Sequence, residues 1–175
     1  MGQVVLLPSM PVYPASTTLL DTAECAFLIA VRWWVSGYQG DEDPVPRLCR
    51  GLKIAGARDA AFTINEFMAV IASTAREPIA IHQPRCLDLS DDERQLLFAA
   101  SLAQAGESAA AERALRASLV SPAGAESALE PLEVSVELFA QAGLIFSRRW
   151  PRFENSRRSD TSDLDHPSNP TGTMH

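Results

Sequence analysis

The stretch Leu89-Ser90-Asp91-Asp92-Glu93 constrains this chain more than any other, because it can do little except begin an α-helix. Ser90 followed three residues later by Glu93 is a capping box, in which each side chain accepts from the other residue's backbone N–H. Asp91 and Asp92 add negative charge where the helix dipole is positive, and Leu89 is placed to act as a hydrophobic staple. A helix is expected from Ser90 to Gly106, followed by an alanine-rich helix over about residues 107–119, the two forming a tight hairpin.

The same punctuation organises the rest. Hydroxyl side chains over residues 16–18, with Asp21 and Glu24 just beyond, predict a helix that ends near Gly37 to Gly40. The run GDEDPVP is a loop, then a short helix is expected from Pro46 to about Ala55, and after Gly56 a longer one from about Arg58 to Thr74. In the longer helix Ala60, Ile64, Phe67 and Ile71 form a core stripe, with Phe62 off it. SPAGAES introduces a further helix. Pro131 is expected to kink it or, preferably, to start a separate helix carrying Leu132, Val136 and Phe139 and ending at Gly143. Residues 79–81 and 144–146 are β-capable and leave room for one short two-stranded element supported by helices.

The expected fold class is therefore mainly α, a single compact helical domain of five or six helices over residues 17–148. A chain of 175 residues with 46% hydrophobic and 21% charged residues suits one such domain. Pro8, Pro11 and Pro14 make residues 1–16 an extended N-terminal arm. Residues 149–175, poor in apolar side chains after the first few, read as a disordered C-terminal tail. No secretory pattern precedes the domain, and Cys25, Cys49 and Cys86 read as reduced thiols, so a cytoplasmic location is expected.

Chemistry has few candidates. His82 and Cys86 are spaced H-x-x-x-C, but a metal site usually needs a second close ligand pair, and the other histidines, His166 and His175, lie in the tail. One histidine in the folded region leaves little for nucleophilic catalysis, and no phosphate-binding glycine loop is present. The acidic runs at 41–43 and 91–93, and the series Glu126, Glu130, Glu133 and Glu137, are explained by a loop, a helix N-terminus and an exposed helical face. No catalytic residue, metal ligand or cofactor is expected.

Surfaces are more informative. The first helix contains FLIAVRWWVSGYQG, too short an apolar run to cross a membrane and interrupted by Arg32. Leu20, Ala23, Phe27, Val31, Trp34 and Tyr38 form one stripe, with Arg32 on the opposite, water-facing side. Ile29 and Trp33 form a second apolar flank that needs a cover or a partner. Arg47, Arg50, Lys53 and Arg58 form one basic group, which Asp41, Glu42, Asp43 and Asp59 are expected to neutralise. Arg148, Arg149 and Arg152 form another around Trp150 and Phe153.

With a net charge of −7, the whole surface is not built for nucleic acid. The favoured expectation is a non-enzymatic protein–protein interaction module, an adaptor, regulator or assembly subunit, with self-association included. A DNA-associated regulator using the basic groups and an enzyme of unrecognised type are the alternatives.

Overall fold

The computed structural model describes residues 13–149, and they form a helical body. A 3-10 turn at Thr17–Leu19 leads into α1 (Thr22–Gln39), α2 (Val45–Ile54), α3 (Ala60–Thr74), α4 (Asp91–Gln104), α5 (Ser108–Ser118) and α6 (Pro122–Gln141). The expected capping box is made, and a second one, not anticipated, is found at α1. Ser90 and Glu93 start α4, and Asp21 and Glu24 start α1. The first helix thus begins at an aspartate cap rather than at the Ser16–Thr18 hydroxyls, which instead hold the 3-10 turn: Ser16 Oγ accepts from the N–H of Thr18. Gly106 lies in the turn between α4 and α5 at φ 77° and Gly143 follows α6 at φ 78°, left-handed conformations that glycine adopts without strain.

The strongest packing is between α3 and α6, with α4 and α5 paired beside them and α1 and α2 closing the other side. The stripe Ala60, Ile64, Phe67 and Ile71 is buried as expected, and Phe62 is exposed. Phe27 of α1 meets Phe67, Phe139 and Phe146 at ring separations of 6.3, 6.2 and 5.8 Å, joining α1, α3, α6 and the C-terminal segment in one aromatic centre. Gly124 lets α6 approach α3: a Cβ there would lie 2.2 Å from Thr74 Oγ1.

Several expectations are corrected. Arg32 does not face water. It is 2% exposed, because α1 is covered on its far side by the link between α3 and α4. Its guanidinium donates from Nε to Glu93 Oε1 at 2.7 Å and from Nη2 to Glu93 Oε2 at 3.0 Å. It also donates to the carbonyls of Cys86 and Asp88, at 2.6 and 2.7 Å. A helical wheel with one polar side cannot anticipate a helix enclosed on both sides.

The two-stranded element is not formed either. Among the described residues there are only isolated bridges, Ser16 with Asp88 and Ala75 with Val120. The backbone of residues 80–82 is claimed by the start of α4: Ala80 N–H donates to Asp92, Ser90 Oγ to the Ala80 carbonyl, and His82 N–H to Glu93. Leu144 and Phe146 enter the core instead, with Phe146 N–H donating to Gln104 Oε1 at 2.8 Å.

Pro131 neither breaks α6 nor starts a new helix. The carbonyl that loses its helical N–H belongs to Ser127, on the exposed side where water can replace the bond. Tyr38, placed in the core stripe, is 64% exposed and stacks on Trp34 at 5.0 Å. Trp34 itself is buried and donates from Nε1 to Asn65 Oδ1 at 2.8 Å.

Arg32→Ala should lower the unfolding free energy by about 3–5 kcal/mol in urea titrations, because it leaves the Glu93 carboxylate buried without its cation. Replacing both partners by packed apolar side chains should lose far less, a contrast the same titrations resolve.

Candidate interaction surface

The α1–α2 junction answers what covers Trp33. Gly51 of α2 faces its ring so closely that a Cβ at Gly51 would lie 1.8 Å from Cζ3 of Trp33. The Arg47 guanidinium lies over the same ring, 5.4 Å from its centroid. Trp33 is therefore half-buried, seated in a notch that only glycine leaves open. Ile29, one turn earlier, remains 38% exposed.

The other face of α2 is buried through Leu48 and Leu52, which fixes Arg47, Arg50 and Lys53 outward. All three are exposed, as is Arg58 after the helix. The ion pairs among the described residues join Arg32 and His82 to Glu93, Arg94 to Asp91 and Arg149 to Glu24. None involves these four cations, so the acidic residues flanking them in sequence do not neutralise them by direct pairing.

The second basic group divides. Arg148 is exposed. Arg149 is committed internally: its Nε and Nη2 donate to Glu24 Oε1 and Oε2, each at 2.6 Å, and Nη2 also donates to the Leu19 carbonyl. It lies over the buried ring of Tyr13 at 5.4 Å. The Glu24 carboxylate beside it pushes the Arg149 pKa up. Arg152, Trp150 and Phe153 lie outside the described residues.

Glu93 is the most heavily engaged ionisable group. Burial alone would raise its pKa, but Arg32, the Ser90 N–H, and the ring and N–H of His82 outweigh it and hold it below the ordinary carboxylate value. His82 Nδ1 is 3.0 Å from Glu93 Oε2. Beside this cluster is a hollow of about 40 Å³ lined partly by Arg32, Ile81 and His82, room for roughly one water. Cys86 contributes its carbonyl to Arg32, and its half-buried thiol is free, as are those of Cys25 and Cys49. Burial, with Asp21 and Glu24 nearby, pushes the Cys25 thiol up, away from the reactive thiolate. Among the described residues, no group of three or more His, Cys, Asp or Glu side chains is placed to hold a metal ion.

Sequence reasoning missed the internal roles of Arg32 and Arg149. One signal was available: each pairs with the glutamate of a capping box, Glu93 or Glu24, whose carboxylate is buried as it returns to the helix start. No helix among the described residues is long and apolar enough to cross a membrane. No protein-family model, curated protein or solved structure matches the chain.

Two outcomes test this geometry. Gly51→Ala should destabilise the fold by about 1–3 kcal/mol despite its better helix propensity, because the added carbon overlaps the Trp33 ring. Pairing it with Trp33→Leu should recover part of the loss in thermal melts. The stability supplied by Glu93 is fully present above the ordinary glutamate pKa of about 4.3 and is lost as pH falls through the depressed folded value. Urea titrations across that acidic range should show a shallower decline for Glu93→Gln than for the native chain.

Proposed function

We propose that this chain is a non-enzymatic protein–protein interaction module that presents α2 to an acidic protein surface. One observation carries the reading: Arg47, Arg50 and Lys53 stand exposed, with no ion-pair partner among the described residues, on a helix whose opposite face is anchored in the core. The anchoring limits motion of the platform, and Arg47 is further held over Trp33. Cations displayed this way steer an acidic partner and fix its register. Ile29 and the outer part of Trp33 supply adjoining apolar area, the kind of group that contributes strongly when desolvated by a partner. An adaptor, regulator or assembly subunit working in the cytoplasm fits this surface. Trp150, Phe153 and Arg152 are a second candidate contact in the same function.

The same exposed cations support a second reading, a DNA-associated regulator. The net charge of −7 opposes it, because repulsion from the rest of the protein offsets a local basic stripe.

The test is recovery of partners with the tagged protein from its own cells, comparing the native chain with Arg47→Glu/Arg50→Glu. Both side chains are exposed, so the variant should keep its helical circular-dichroism spectrum while losing acidic partners. Equal recovery by both chains would refute the role of α2. Binding to duplex DNA at low salt, falling steeply as salt is added, would favour the second reading instead.

A further inference from the structure

The described chain ends close to an acidic cleft. Gln104, in the last turn of α4, donates from Nε2 to the carbonyls of Val136 and Leu144, each at 3.0 Å, and accepts from the N–H of Phe146. It thereby ties residues 144–146 to α4 and α6. A cleft of about 480 Å³ opens beside it, with Gln104, Gly106, Glu133, Val134, Glu137 and Leu138 in its walls. Ala105, between two of those residues in sequence, lines a small hollow together with Arg148 and Arg149. The chain therefore leaves the described body beside the α4 wall of the cleft.

The walls carry two carboxylates and, among the described residues, no lysine or arginine. Glu137 is exposed and accepts from Gln141 Nε2 at 3.2 Å, and Glu133 is half-buried and accepts from Ser108 Oγ. Neither takes part in the ion pairs formed among the described residues. Val134, 43% exposed, and the half-buried Leu138 add apolar surface between them. Such a hollow suits an occupant that is both cationic and apolar.

We propose that residues 150–158 of the same molecule occupy this cleft, with Trp150 and Phe153 covering Val134 and Leu138 and the arginines meeting Glu133 and Glu137. The sequence there is Trp-Pro-Arg-Phe-Glu-Asn-Ser-Arg-Arg, in which Arg152, Arg157 and Arg158 against Glu154 leave a net charge of +2. Nine residues reach up to about 30 Å when extended, ample for a cleft beside the point of exit. Attachment to the body holds the segment at an effective concentration on the order of millimolar, so a weak contact suffices. Guanidinium groups match carboxylates in a paired, directional geometry, and covering Val134 and Leu138 supplies the apolar contribution that exposed ion pairs alone lack. A partner that takes Trp150 or Phe153 must then displace them from the cleft, whereas the α2 surface stays open.

The test is fluorine NMR of the full chain labelled with fluorotryptophan, in which the signal lost in Trp150→Phe identifies Trp150. A peptide of residues 148–158 supplies the exposed reference. In the native chain the Trp150 signal should stand apart from that of the peptide and be protected from a soluble paramagnetic agent, equally from tens to several hundreds of micromolar chain. Added salt should reduce the protection. Glu137→Arg/Val134→Asp should return the signal to the peptide's position while the Trp33 and Trp34 signals, which report the folded body, stay in place. If those two signals move, Glu137→Gln/Val134→Ser makes the same reading with a smaller change. A Trp150 as exposed in the native chain as in the peptide overturns the proposal. So does protection that the cleft variants leave intact, which would put Trp150 elsewhere, or protection that grows with concentration, which would give the cleft to a second copy. Arg47→Glu/Arg50→Glu should leave the Trp150 signal unmoved, so failure of this contact and failure of the α2 reading are told apart.

Discussion

The ion pair between Arg32 and Glu93 holds together three parts of the chain that would otherwise have little reason to meet. Arg32 comes from the middle of α1, Glu93 from the first turn of α4, and the link between α3 and α4 runs over both, giving two carbonyls to the guanidinium. Removing these charges from water carries a large desolvation penalty, offset only because nearly every donor and acceptor finds a partner. The pair therefore selects an arrangement more than it adds net stability. An apolar contact tolerates sliding, whereas a bidentate guanidinium–carboxylate pair with fixed carbonyl partners does not.

The pattern recurs at the other end of the body. Glu24 caps α1 and is clamped by Arg149, as Glu93 caps α4 and is clamped by Arg32. In both cases a local helix signal becomes a long-range tether, because satisfying the helix start turns a carboxylate inward. The capping glutamate sets where the helix begins, and the distant arginine sets what packs against that beginning. With these tethers inside, α2 and the outer face of α6 are left to carry the exposed charge from which the proposed interactions are built.

Much of the fold was legible from periodicity and caps. The α3 stripe, the Ser90 capping box and the Gly106 hairpin are local signals, and local physics decides them. Arg32 was misplaced because its environment depends on a segment more than fifty positions away, about which a helical projection is silent. The β-capable residues 79–81 and 144–146 were real apolar signals, but side chains at the start of α4 and the core met their needs without pairing. Trp33 was recognised as a residue in want of a cover. That the cover is Gly51, an absence of side chain, is the sort of complementarity that two separate helices reveal only together. The basic stripe on α2 was visible as spacing, whereas its freedom from direct ion pairing required the positions of the surrounding carboxylates.

The Arg149 clamp has a consequence for synthesis. Glu24 is among the earliest residues of the body to leave the ribosome, and its cation is 125 positions later. Without Arg149, closing α1 against the rest would leave this buried carboxylate without its cation, a costly arrangement. Closure of the helical body around the start of α1 therefore depends on one guanidinium brought in from the far side of the described chain.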